Sequence, residues 1–66
     1  MAYKAEVEVE VLIVKEGALY VTDGDNEGWV PKSLIDDDGD ITAESSVGDE
    51  GTLILPQWKA EELEFV

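Results

Sequence analysis

Glu6, Glu8 and Glu10 are separated by Val7 and Val9, and these three carboxylates at every second position are the first residues of the chain with a chemistry to offer. In an extended segment a rise of about 3.2–3.4 Å per residue sets successive carboxylates roughly 6.5–7 Å apart on one face. That interval is of the order of the spacing between neighbouring phosphates on a nucleic-acid strand. A stiff row of this kind can occupy Lys and Arg side chains that otherwise hold a phosphate backbone. Further acid falls in two clusters, Asp23, Asp25 and Glu27, then Asp36, Asp37, Asp38 and Asp40, with Asp49 and Glu50 beyond them. These sit among Gly, Asn and Ser, the residues of turns, where charge meets solvent. An ordinary solvated face is the competing reading of the first three acids. Solubility, however, requires a net charge of magnitude only about 2–8 in a small domain, whereas 17 Asp and Glu against 4 Lys leave −13 on these 66 residues.

Other chemistries fare worse. Asp23-x-Asp25-x-Glu27-Gly28 begins like a calcium-binding loop, but Leu34 stands where the bidentate Glu is required, so no metal site is expected. The chain has no His and no Cys, which removes the commonest general base, the commonest metal ligand and any thiolate nucleophile. Ser33, Ser45 and Ser46 therefore lack an activating partner, no Gly-rich phosphate loop is present, and neither an enzyme nor a cofactor is expected. Trp29, Trp58 and Tyr20 have faces on which bases stack, yet without Arg there is no basic groove to hold nucleic acid directly. The field repels nucleic acid, anionic membranes and acidic substrates, and attracts basic proteins. Packing is the ordinary role of Trp29 and Trp58; an exposed Trp29 ringed by acids would instead anchor a protein interface.

The elements that position these residues are mostly strands. From Tyr3 to Ile13 the odd positions are apolar or aromatic and the even ones begin Lys4, Glu6, Glu8, Glu10, the alternation of a half-buried strand. At Val11-Leu12-Ile13-Val14 both faces become apolar, which predicts cover on two sides. Lys15-Glu16-Gly17 predicts a tight turn into an antiparallel strand over Ala18–Thr22. Asp23–Gly28 reads as a loop, and Gly28–Ile35 as a strand whose Pro31 predicts an edge position or a 3₁₀ turn after Val30. The acidic stretch from Asp36 to Gly51 is loop chemistry in which Ile41-Thr42-Ala43 and Val47 form a brief strand or anchor the excursion. Thr52–Leu55 predicts a central strand, with Pro56 in the first turn of a short helix whose stripe is Ala60, Leu63 and Val66, although Leu63–Val66 also reads as a terminal strand. No linker, repeat, leader or membrane span is read anywhere, so one cytoplasmic domain over residues 1–66 is expected.

Gly28-Trp29-Val30-Pro31-Lys32-Ser33-Leu34-Ile35 resembles the Gly-Trp-hydrophobic-Pro-Ser-Asn-Tyr-Val segment of SH3 domains, with Leu34 at the position of the Tyr. That resemblance implies a small barrel strand followed by a 3₁₀ turn. The runs Val21–Asp25 and Trp29–Ser33, followed by Ile54–Glu61, look like segments of small phage-encoded proteins associated with recombination and replication. Small size and extreme acidity are in turn similar in type to anti-CRISPR proteins that act as DNA mimics. The fold expected is thus α+β and β-dominated, a small antiparallel sheet or partly open SH3-like or OB-like barrel of about four to five strands with one short C-terminal helix. The function expected is a phage inhibitor that blocks the DNA-binding groove of a host surveillance complex in the bacterial cytoplasm. The alternative is an SH3-like or OB-like interaction module of a phage recombination or replication complex. In either case the partner-binding residues are Glu6, Glu8, Glu10, Asp23, Asp25, Glu27, Trp29, Asp36, Asp37, Asp38 and Asp40.

Overall fold

A computed structural model of the chain describes residues 3–66; Met1 and Ala2, the start of the segment read for a leader, lie outside the described residues. Strand β1 (Lys4–Val14) carries the expected alternation, with Ala5, Val7, Val9 and Val11 buried and Lys4, Glu6, Glu8 and Glu10 exposed. The turn after it closes with the Lys15 N–H donating to the Ala18 carbonyl at 2.9 Å, and the chain returns antiparallel as β2 (Ala18–Thr22). A second turn, closed by the Asp23 N–H on the Asn26 carbonyl at 3.0 Å, leads into antiparallel β3 (Glu27–Pro31). Strand β4 (Glu50–Pro56) joins the other side of β1. The order β3-β2-β1-β4 makes a four-stranded antiparallel sheet that stays open, with β3 and β4 at opposite edges. With one short C-terminal helix this is the β-dominated α+β fold expected, in its open-sheet form.

The two neighbours of β1 are staggered. Strand β4 pairs with Lys4–Glu10, whereas β2 pairs with Glu10–Val14. Between Val11 and Ile13 a β-bulge shifts the register and reverses the parity of the strand. Val14 consequently turns toward the core, and Ile13 stands 42% exposed on the outer side. The consecutive apolar residues Val11–Val14 therefore do not mark cover on two sides, as their composition predicts. They mark the extra residue of the bulge.

The inner face packs Val11, Leu19, Val21, Val30, Leu53 and Leu55, with Ile35, Ile41, Ala60 and Phe65 laid over them. After Pro31 the predicted 3₁₀ turn forms over Lys32–Leu34. The chain then runs back along the outer side of β4. There the Asp36 N–H donates to the Ile54 carbonyl (2.9 Å) and the Ile41 N–H to the Thr52 carbonyl (3.0 Å), while the Thr52 N–H donates to Asp40 Oδ2 (3.2 Å). Strand β4 is thus an edge strand, not the central strand that its apolar run predicts. It tolerates that composition because residues 36–41 bond the outward Ile54 carbonyl and both outward backbone groups of Thr52, which a bare edge would expose. Ile41, fully buried and bridged to Leu53, is the anchor of this excursion, and Val47 stays exposed.

Pro56 ends β4 and caps helix α1 (Gln57–Glu62) rather than entering its first turn. The helix ends in paired bonds, the Phe65 N–H to the Ala60 carbonyl (2.9 Å) and the Glu64 N–H to the Glu61 carbonyl (3.1 Å), with Glu64 at φ 63°. This is a Schellman motif with Glu where Gly is usual. The reversal at Glu64 swings Phe65 into the core and leaves Val66 exposed, so the stripe is completed by Phe65 in place of the predicted Val66, and no terminal strand forms. Leu63 lies over Gly28, where an added Cβ would come within 2.4 Å of Leu63 Cδ2. The Asn26 side-chain amide donates to the Glu64 carbonyl at 2.9 Å and ties the helix end to the β2–β3 turn.

A left-handed conformation costs an L-residue roughly 1–2 kcal/mol, and a carboxylate at a helix C-terminus opposes the dipole. Glu64→Gly relieves both, against the greater freedom of Gly in the unfolded chain. The expected outcome is a gain of about 1 kcal/mol, read as a rise in Tm of about 4–8 °C by thermal denaturation. A fall in Tm would contradict the assigned helix stop.

Candidate functional site

Side chains opposite one another in neighbouring strands share a face, so the register places every outward residue of the sheet. Glu6, Glu8 and Glu10 form a row along β1, about 13 Å from end to end at the usual rise. Glu10 is paired with Thr22 of β2 on one side and with Glu50 of β4 on the other, and Thr22 is paired with Glu27 of β3. A second line, Glu27–Thr22–Glu10–Glu50, therefore crosses the sheet and meets the first at Glu10. With strands about 4.7–4.9 Å apart it spans roughly 14 Å. Glu8 accepts a hydrogen bond from the hydroxyl of Thr52 opposite it. At the crossing, Glu8, Glu10, Thr22, Asp23, Gly24 and Glu50 line a shallow, open depression.

The turn acids divide between structure and solvent. Asp23 Oδ1 accepts the N–H groups of Asp25 (2.9 Å) and Asn26 (2.7 Å), and these backbone donors, that of Asn26 first, hold its carboxyl below the usual range. Asp25 is exposed at the tip of the turn. Asp36 bonds the Lys4 ammonium and the Asp38 N–H, and its carboxyl is likewise held low, chiefly by the hydrogen bond from Lys4. Asp40 packs over Gly51 and accepts the Thr52 N–H, while Asp37 and Asp38 face solvent. Glu8 and Asp40 thus bond the hydroxyl and the amide of the same Thr52. The 36–40 cluster is brought against the flank of the β1 row, beyond β4, and the 23–27 cluster closes the opposite side.

Past Glu10 the outward face changes character. Tyr20 and Trp29 are cross-strand partners with ring centroids 5.0 Å apart and planes at 54°. The Tyr20 hydroxyl donates to Glu27 Oε1 at 2.9 Å, and this bond to a carboxylate, followed by desolvation and the charge of Glu27, raises the phenol above its ordinary value. Ile13, turned outward by the bulge, pairs with Tyr20, and Trp29 is 40% exposed. Trp29 is therefore a partly open aromatic on the sheet face, beside the acids. Trp58 lies on α1, 57% exposed.

Every sequence-predicted site residue thus lies on this face or along its flanks. Glu50 and Tyr20, which the sequence shows as an exposed acid and an aromatic but does not assign to the partner-binding set, belong to it as well, as do Thr52 and Ile13, because membership follows from cross-strand register and from the bulge, neither of which residue type alone discloses. Among the described residues no three acids converge as a metal would require. Nor is any helix among those residues long and apolar enough to cross a membrane. Compared with protein-family models, with curated proteins and with solved structures, the chain matches none.

Glu10 and Glu50 form a non-hydrogen-bonded pair, in which Cα atoms approach to about 4.5 Å and like charges repel. Glu50→Gln is expected to raise the free energy of unfolding at low salt by roughly 0.2–1 kcal/mol, read as a higher urea midpoint. The gain should vanish at about 1 M salt, where charges are screened within about 3 Å; an equal gain at both salts would exclude repulsion as its source. Asp36 has a depressed folded pKa, so its stabilising contribution is complete above the ordinary Asp value of about 3.9 and is lost as pH falls through the folded value. Asp36→Asn should therefore unfold at lower urea than the parent at pH 7, with the two midpoints converging once the pH has fallen below the depressed folded value of Asp36. A difference that persists in acid would mean that the loop, not the charge, carries the effect.

Proposed function

We propose that the protein is a polyanion mimic, an inhibitor of phage origin that fills the nucleic-acid groove of a basic partner in a host defence system, of the crRNA-guided surveillance type. The observation that carries this reading is the row Glu6–Glu8–Glu10, set on a hydrogen-bonded sheet at intervals near those of phosphates and crossed at Glu10 by the line that adds Glu27 and Glu50. Acids presented from paired strands are held without the ordering cost of a flexible tail. Glu6, Glu8, Glu10, Glu27 and Glu50 supply the contacts, and the exposed acids of the 23–27 and 36–40 turns extend the field that steers a basic groove toward them.

A second reading has its own support in Trp29, whose partly exposed ring packs at a tilt against Tyr20 beside the acids. In that case the protein is an interaction module of a phage recombination or replication complex, anchored by the aromatic pair, with the acid serving to steer and solubilise.

Two variants separate the readings. Competition with a fluorescent target duplex for a purified surveillance complex should fall by roughly a hundredfold or more when Glu6, Glu8 and Glu10 are all replaced by Lys, and should weaken steeply with added salt. Trp29→Ala should leave that competition within about threefold. The opposite pattern, tolerance of the charge reversal and loss with Trp29→Ala, would favour the interaction module. Inhibition indifferent to both changes would reject both readings.

A further inference from the structure

The stagger of β1 leaves part of one edge without a neighbour. The Val11 N–H donates to the Asp49 carbonyl (2.9 Å) and the Val11 carbonyl accepts the Gly48 N–H (2.8 Å), so its backbone groups point to the β4 side. With the regular pairing Ala5–Leu55, Val7–Leu53 and Val9–Gly51, the groups of Ala5, Val7 and Val9 point the same way. Those of the alternate residues Lys4, Glu6, Glu8 and Glu10 must then point to the β2 side. Strand β2 reaches Glu10 through Thr22, and the chain turns away at Asp23. Lys4, Glu6 and Glu8 each present an N–H and a C=O along an edge that no strand pairs and no side chain bonds, among the described residues. The apolar layer is slightly open beneath it, where Ala5, Val7 and Val9 retain 5–8% exposure while Val11, Leu19 and Val21 retain none.

A strand laid on this edge would meet a definite pattern. Its side chains beside Glu6 and Glu8 would stand on the outer face among carboxylates, and the alternate ones, beside Ala5 and Val7, would turn toward the apolar layer. Charge complementarity selects Lys or Arg for the outer positions and apolar residues for the inner ones. A second copy of this chain is disfavoured: two such edges paired antiparallel about Glu6 would set Lys4 against Glu8 but Glu6 against Glu6, and would bring together subunits of charge −13 each. We infer that the Lys4–Glu8 edge is a strand-addition site for an extended segment of a partner protein in which basic and apolar residues alternate. The inference does not rest on nucleic-acid mimicry, because the backbone groups carry it and the carboxylates only choose the occupant.

The test uses the synthetic peptide Lys-Val-Lys-Val-Lys-Val-Lys at low salt, with amide hydrogen exchange read residue by residue by NMR. The amides of Glu6 and Glu8 should exchange about tenfold or more slowly when the peptide is bound, while those of Ala5 and Val7, already bonded to β4, should change little. A chemically synthesised chain N-methylated at the Glu6 and Glu8 nitrogens keeps its charge and its β4 pairing. It should bind the peptide at least about tenfold more weakly than the unmodified chain. The same chain should still compete with DNA if the polyanion reading holds, so the two proposals fail separately. Unchanged exchange at Glu6 and Glu8, equal binding by the N-methylated chain, or equal binding of the block peptide Lys-Lys-Lys-Lys-Val-Val-Val would each overturn the strand-addition site. Should the N-methylated chain not fold, the exchange pattern of the unmodified chain decides.

Discussion

One face of β1 is buried, and that single constraint settles where the charge of the molecule goes. The side-chain period of a strand is two, so a slip of one residue would drive Glu6, Glu8 and Glu10 into the core and Val7 and Val9 into water. Burying an unpaired carboxylate costs far more than any contact in so small a domain can return. The register of β1 is therefore pinned, and β2 and β4 take theirs from it. The outward carboxylates are held in place as a by-product of the hydrophobic pattern inside.

The acid has a cost that packing must offset. Lys4–Asp36 and Lys59–Glu62 are ion pairs at the surface, and such pairs contribute only about 0–1 kcal/mol each. They cannot balance the repulsion of an excess as large as −13. Apolar burial, at roughly 25 cal/mol per Å², is the term large enough to do so. The fully buried set Leu19, Ile41, Leu53, Leu55, Val11, Val21 and Val30 is accordingly assembled from every strand and from the long excursion, with Ala60 and Phe65 adding the helix end. Residues 36–41, which look like an acidic loop, are thus part of the scaffold as well as of the charged flank.

What could be read from residue types was whatever depends on local period and turn chemistry: the alternation of β1, the hairpin at Lys15–Gly17, the 3₁₀ turn behind Pro31 and the short helix behind Pro56. What could not be read depends on partners distant in the chain. The apolar run Thr52–Leu55 has the composition of an inner strand, and only the backbone bonds from Asp36 and Ile41 explain how it serves at an edge. The bulge after Val11 and a double-faced burial leave the same trace in sequence, two apolar residues in succession. Phe65 displaced Val66 from the core because Glu64 adopts a positive φ with no glycine to announce it. Of the acids, the row on β1 was legible from spacing, whereas its crossing by Glu27 and Glu50 required the register.

Because β1 serves two neighbours, it acquires them at different moments. Its pairing with β2 closes across the short Lys15–Gly17 turn, whereas its pairing with β4 joins opposite ends of the chain, and contacts of high sequence separation form late. A three-stranded meander should then exist for a time with Ala5, Val7 and Val9 uncovered and the β4 side of the strand vacant. During that interval the glutamates of β1 act as gatekeepers, since any second nascent chain approaching the vacancy brings the same charge. The carboxylates that face outward in the finished protein would thus also chaperone its assembly.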